Sequence, residues 1–315
     1  LEDLDPAQAE VAALFKAIAD MDPVTGKPRG EALKILASGD EALASATKAL
    51  AGTGAEIIPA AFGDIWLRDT APIFVKNGNT LEASCFRFNG WGGKYVLVGD
   101  DGVAPFVAKR VGVKTHMNDW VLEGGSIDVD GLGTALTTRQ CLLNENRNPD
   151  LSQTDIEANL KSGLGIEKLI WLGDGLLNDH TDGHIDNIAR FIAPGVVVCM
   201  EPAGSDDPNR DALNAIIADL KVATDVNGRK LEVFTVPSAG RLDDEEGEPV
   251  PASFMNFYIG NTTVVVPTYG TKNDDAAVAA IAKLFPGRRT IGSRANHILT
   301  GGGSFHCITQ QQPLV

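Results

Sequence analysis

"SQTDIEANLKSGLGIEKLIWLG", from Ser152 to Gly173, reads as a helix that feeds a strand. "SQTD" puts hydroxyl and carboxylate side chains ahead of the first turn, where they can cap free N–H groups. An amphipathic pattern then covers Gln153–Ser162, and "KLIWLG" follows as a short apolar strand. The same order recurs along the chain. Helix patterns lie at Glu41–Gly52, Val103–Val111, Asn209–Thr224 and Asp274–Phe285, the last one opened by "KNDD". The strands that follow them are "AEIIPA", "GVKTHM", "KLEVFTVP" and "RRTIGS". Further apolar runs, "EASCFRF", "GTALTTRQCLL", "GVVVCMEP", "TTVVVPTYG" and "FHCITQQ", read as strands of their own. That makes five units of similar content. Such units could close around one axis as a short propeller, or lie side by side in an ordinary α/β sheet. Periodicity alone leaves both open. No linker rich in Pro or Ser divides the 315 residues, so a single domain over 1–315 is expected. The acidic stretch "RLDDEEGEPVP" (Arg241–Pro251) reads as a solvated loop, or as a lid over a cationic ligand.

The composition narrows the partners. Lys and Arg number 27 against 42 Asp and Glu, a formal charge of −15. That surface repels nucleic acid and anionic lipid and attracts small cations. No apolar run approaches the roughly 20 residues of a membrane span. The chain does not begin with Met, which leaves upstream residues and a removed signal open. The four cysteines, Cys85, Cys141, Cys199 and Cys307, form no paired motif, which argues against a zinc site and for a reducing cytoplasm. Three of them sit in apolar runs and read as small buried side chains. Cys307 differs because "GGGSFH" precedes it.

The polar residues gather after the strands that follow the helices. "GDIWLRDTAP" carries Trp66, Arg68 and Asp69; "VLEGGSIDVDG" carries Glu123; "NDHTDGHIDN" carries His180, His184 and Asp186; "TGGGSFHC" carries His306 and Cys307. If the units are related by rotation, these loops meet at one end. His180 and His184 have the spacing of a helical metal pair, but Thr181 and Gly183 break a helix there, so no metal is expected. His184 and Asp186 read better as alternate residues of a strand, facing one pocket, with His180 solvated. A thiol, a histidine and several acids suit nucleophilic attack on a flat cation. Two carboxylates can clamp a guanidinium, and the glycines let backbone come close to it.

The blocks "WLRDTAPIFV", "FNGWGG", "LEGGSIDVDGLGTALTTRQCLLNENRNP", "NDHTDGHIDNIARF", "SFMNFYIGN", "VPTYG" and "ILTGGGSFHCITQQQP" together resemble the agmatine deiminases. These belong to the guanidino-group-modifying superfamily, with the bacterial-type peptidylarginine deiminases. The resemblance runs from about Ile57 to Pro313. It implies a five-bladed α/β propeller, the pentein fold, and conversion of agmatine to N-carbamoylputrescine within polyamine metabolism. It implies Cys307 as nucleophile, His184 as general acid and base, and Asp69 and Asp186 as guanidinium ligands. Glu123 would support the histidine or the substrate. Trp66 and Trp91 would wall the pocket, or else pack in the core. No metal or organic cofactor is implied, and a homo-oligomer is left open. Some positions depart from the family pattern: Ser304 and Phe305 replace Asn and Ile, Ala71 replaces Gly, and Asp128 stands where many members have His. An initial "MPAEW"-like segment is missing, which puts the contacts to the substrate's tail in question. Arg68, Arg139 and Arg147 are candidates for binding a substrate carboxylate, should the substrate be arginine or a peptidyl arginine. A non-catalytic binding ring of the same fold is the alternative from outside enzymology.

Overall fold

The computed structural model describes residues 4–314. Its strands form five small sheets. The first pairs Lys34–Ala37 with Glu56–Pro59 in parallel, joined by the helix Asp40–Ala49. The other four share one plan: an antiparallel pair, a helix, then a strand returning parallel to the second of the pair. Ile73–Asn77, Thr80–Arg87, helix Val103–Val111 and Lys114–Val121 make the second unit. Asp128–Val129, Thr134–Thr138, helix Gln153–Leu164 and Lys168–Leu172 make the third. Ala189–Ala193, Val196–Glu201, helix Arg210–Val222 and Glu232–Pro237 make the fourth. Tyr258–Ile259, Thr263–Thr268, helix Asp274–Leu284 and Arg289–Arg294 make the fifth. The helix patterns read from sequence agree with these elements to within three residues at each end.

Local chemistry explains the boundaries. Ser152 and Asp155 form a reciprocal capping box at the start of Gln153–Leu164, and Gly165, at φ 71°, ends that helix in the left-handed conformation. At the fifth helix the cap differs from expectation. The Asn273 side chain donates to the Ser238 carbonyl, and the Asp274 carboxylate takes the Tyr269 and Gly270 N–H groups instead. The middle strands, such as Val196–Glu201 and Thr263–Thr268, are apolar on both faces because helix covers one side and the centre of the molecule the other. Val264, Val265 and Val266 are fully buried, each worth about 1.5–3 kcal/mol over exposure.

Each sheet bonds to the next. Arg110 donates to Glu56, Ser84 Oγ to the Gly163 carbonyl (2.9 Å), Phe191 N to Asp128 (2.7 Å) and Asn273 to Ser238 (2.9 Å). Asn261, in the fifth unit, donates to Glu31, just ahead of the first (3.0 Å). The sequence of contacts closes on itself, so the arrangement is the five-bladed α/β propeller and the open-sheet alternative falls. The helix Leu4–Ala19 fastens the closure. Its Glu10 accepts from the N–H groups of His297 and Ile298.

Two strand expectations are corrected. "FHCITQQ" is a run of turns: Ile308 N bonds the Ser304 carbonyl and Thr309 N the His306 carbonyl, so local bonds take groups a ladder would need. His184 and Asp186 do not alternate on a strand. Asp186 lies in the 3-10 turn Ile185–Asn187 and His184 directly ahead of it. Asp182 (φ 63°) and Gly183 (φ 83°) turn the chain left-handed there, and Thr181 Oγ1 accepts from His184 N.

Candidate active site

Every loop that follows a post-helix strand reaches the same end of the ring. Arg68 N donates to the Cys307 carbonyl (2.9 Å) and Gly125 N to Asp69 Oδ1 (2.9 Å). Gly125 sits at the centre. A Cβ there would stand 2.6 Å from His184 Nδ1, 3.0 Å from Asp69 Oδ1 and 3.1 Å from Asp186 Oδ2. Only a residue without a side chain lets Asp69 from one loop and His184 and Asp186 from another crowd one spot. Cys307 Sγ lies 3.6 Å from the same Asp186 oxygen.

Asp69 is on the short helix Leu67–Thr70 and is held by neutral donors, Gly125 N on Oδ1 and Trp91 Nε1 on Oδ2 (2.9 Å). Trp91 is placed by an unusual turn. Gly90, Trp91, Gly92 and Gly93 have φ of 69°, 53°, 80° and 82°, and Asn89 Oδ1 caps the turn through Gly92 N. A tryptophan in the left-handed region is strained, and its neighbours hold it there. Burial and the nearby Glu123 charge push the Asp69 carboxyl up to about 7, against the pull of its N–H donors.

His184 is fully buried, and neither ring nitrogen has a hydrogen-bond partner. Burial, with Arg147 nearby, holds it well below the usual histidine range, so the ring is neutral and able to accept a proton. Glu123 stands beside it. One oxygen takes the Arg147 guanidinium (2.6 Å) and the other is buried without a partner. Glu123, Cys141 and His184 bring an oxygen, a sulfur and a nitrogen within 4.8 Å of one another, the one set among the described residues that could bracket a metal. The Arg147 charge on Glu123 works against a cation at that point. Cys141 is buried as expected, but it faces this cluster.

Burial, then Asp186 and Asp69, raise the Cys307 thiol well above its usual range, so it is protonated in the free protein. Asp186 is itself raised, by burial and by Asp69. Its Oδ1 is buried and unpartnered, while Oδ2 meets His306 Nδ1 at 2.7 Å. Asn256 closes the back. Its Nδ2 lies 3.0 Å from Cys307 Sγ, and its Oδ1 accepts from His306 N (2.8 Å). Gly303 admits the Trp66 ring, whose Cζ3 would be 2.5 Å from a Cβ there.

Cys307, His184, Asp69, Asp186 and Glu123 are thus together. Trp91 reaches the site through Asp69, and Trp66 packs behind the cysteine turn as part of the core. Asn256 is absent from the sequence reading, and His306 appears there beside Cys307 without a role. Asn256 lies in the loop after Glu232–Pro237, the one post-helix strand whose loop offers no candidate site residue in the sequence, so the repeat itself is the signal. Arg68 donates to Gln310, Gln311 and the His306 carbonyl; Arg147 to Glu123 and Asp182; Arg139 to Gln153. Of the departures from the family pattern, Asp128 pairs with Arg190 (2.6 Å) and Phe305 is fully buried, while the Ser304 hydroxyl is buried without a partner. His180 is exposed and stacks on Tyr95. Both line a cavity of about 410 Å³ with Asp179, Asp244 and Pro249, which brings the acidic stretch to the rim beside the glycine turn.

A sequence model of the family described as Porphyromonas-type peptidyl-arginine deiminase matches residues 1–313. The chain belongs to this family. Among relatives of this Porphyromonas-type family, the agmatine deiminase of Stutzerimonas stutzeri (strain A1501) is 38% identical over 332 residues, covering 98% of this chain and 88% of the relative. The solved agmatine deiminase of Enterococcus faecalis superposes with a TM-score of 0.88 at 33% identity, over 98% of this chain and 88% of that one. A cysteine-to-serine variant of the C. jejuni agmatine deiminase, solved with substrate bound, superposes with a TM-score of 0.87 at 29% identity, over 98% and 87%. No described helix is long and apolar enough to cross a membrane.

Proposed function

We propose that this chain is an agmatine deiminase, hydrolysing agmatine to N-carbamoylputrescine and ammonia, with the five units acting as one catalytic domain. The observation that carries this reading is the meeting of a thiol, a neutral histidine and two buried carboxyl groups around Gly125. The guanidinium enters between Asp69 and Asp186, and its charge offsets the cost of ionising them. His184 takes the Cys307 proton, and the sulfur attacks the central carbon. The imidazolium, steadied by Glu123, passes that proton to the departing nitrogen, and ammonia leaves. An amidino group remains on sulfur. Water then gives one proton to His184 and attacks the same carbon; as the C–S bond breaks the thiolate takes that proton back from His184, and the second water proton leaves with the ammonia as ammonium.

Agmatine is favoured over arginine or a peptidyl arginine because Arg68 and Arg147 are committed to internal partners and Arg139 to Gln153. Lys94, which lines the same cavity as Asp179 and Asp244, is likewise committed, to Asp182 and the His180 carbonyl. We place the reaction in the cytoplasm, in keeping with four free cysteines. The test is purified protein with agmatine, arginine and a blocked arginine peptide, scoring ammonia and the carbamoyl product. A higher kcat/KM on the peptide would overturn the substrate assignment, and turnover by Cys307→Ser would overturn the mechanism.

A further inference from the structure

His306 has no part in the reaction as proposed, yet it makes the shortest contact to Asp186. Both side chains are buried, at 4% and 0% exposure, and Nδ1 lies 2.7 Å from Oδ2. An ionised carboxylate can only accept, so with Asp186 charged the proton is on Nδ1. The ring has little freedom, because His306 N is bonded to Asn256 Oδ1 and Asn256 also reaches Asn187, beside Asp186. The oxygen that His306 takes is the one facing Cys307 Sγ; the other has no partner. One oxygen is therefore fixed from within the protein and the other is bare.

We propose that His306 is a positioning residue: its Nδ1–H holds Asp186 through Oδ2, stabilises the carboxylate as an anion and turns Oδ1 to the guanidinium of the substrate. This rests on the guanidine-hydrolase reading above. The groups around His306 fit a neutral donor. Arg190 on Ala189–Ala193, Arg68 on Leu67–Thr70 and His184 all oppose a charge on it, as does burial itself, while Asp186 and Cys307 are its near neighbours. Asp186 must be ionised to hold the cation, and burial and Asp69 already resist that. Removing the donor makes ionisation harder still, so the acid limb of kcat/KM moves to higher pH.

The experiment compares wild type, His306→Ala and His306→Asn, whose amide N–H stands near the place of Nδ1. Two readouts are taken from about pH 5 to about pH 10: kcat/KM on agmatine, and the rate at which 2-chloroacetamidine alkylates Cys307, which needs the cation pocket but no turnover. His306→Ala is expected to lower both by about 10- to 100-fold at neutral pH, mostly through KM, and to move the acid limb up by about one pH unit. His306→Asn is expected to restore most of the rate and the limb. An unmoved limb in His306→Ala overturns the proposal, as does an Asn variant no better than Ala at wild-type thermal stability. If wild type turns over no agmatine but alkylation shows these shifts, the substrate assignment falls and the role of His306 stands.

Discussion

Asp69 and Asp186 face the same small space but are held in opposite ways. Asp69 has both oxygens bonded, one to a peptide N–H and one to an indole N–H, and neither donor can titrate. Asp186 has one oxygen on an imidazole and the other empty. The first acid is set by backbone shape, through a left-handed turn and a glycine. The second is set by a neighbour whose own charge is under control. Two carboxylates this close cannot both ionise cheaply, so separate kinds of support keep each one usable.

That contrast can be broken at several points. Cys307→Ser removes what both acids serve, and kcat should fall by about four orders of magnitude or more in an ammonia-release assay. Gly125→Ala should come next, at about 10³-fold, since its methyl would press on His184 and both acids. The loss should appear in kcat, with the protein still folded by circular dichroism. Trp91→Phe sharpens the comparison. It takes one charge-assisted bond from Asp69 alone, so kcat/KM should fall about 10- to 100-fold. The wild-type acid limb should lie near or above pH 7, because Asp69 is pushed to about 7 by burial and Glu123 and binds the cation only when ionised. Trp91→Phe should raise that limb in a pH–rate profile. At the far end of the scale, Ser152→Ala should cost about 1 kcal/mol of unfolding free energy, read by denaturant titration, and leave kcat/KM unchanged, since the capping box serves only the scaffold.

The sequence was most readable where one residue's chemistry or one element's period decides the outcome. Helix Val103–Val111 is found as expected, and Cys307, His184, Asp69 and Asp186 were singled out by type and by resemblance. It was least readable where the backbone leaves ordinary regions. A period of two was seen in His184–Asp186 because two polar residues alternate, but Gly183 and Asp182 at positive φ make that stretch a turn. Side chains can still converge from a turn, so the two residues meet the other groups by a geometry that is not a strand's. Asn256 goes unread and His306 carries no role in the sequence for another reason. An amide in an apolar stretch and a histidine beside a cysteine carry no signal alone, and their importance comes from which neighbours the ring brings to them.

The ring closure between Asn261 and Glu31 has a consequence for biogenesis. The site draws its groups from the ends of all five blades, and the sulfur comes from the last of them to leave the ribosome. A nascent chain with four blades made has the histidine, the acids and Cys141, but not the sulfur that meets Asp186. Reactivity should therefore arrive in one step, when the final blade docks, and a half-made or half-unfolded molecule should be chemically silent.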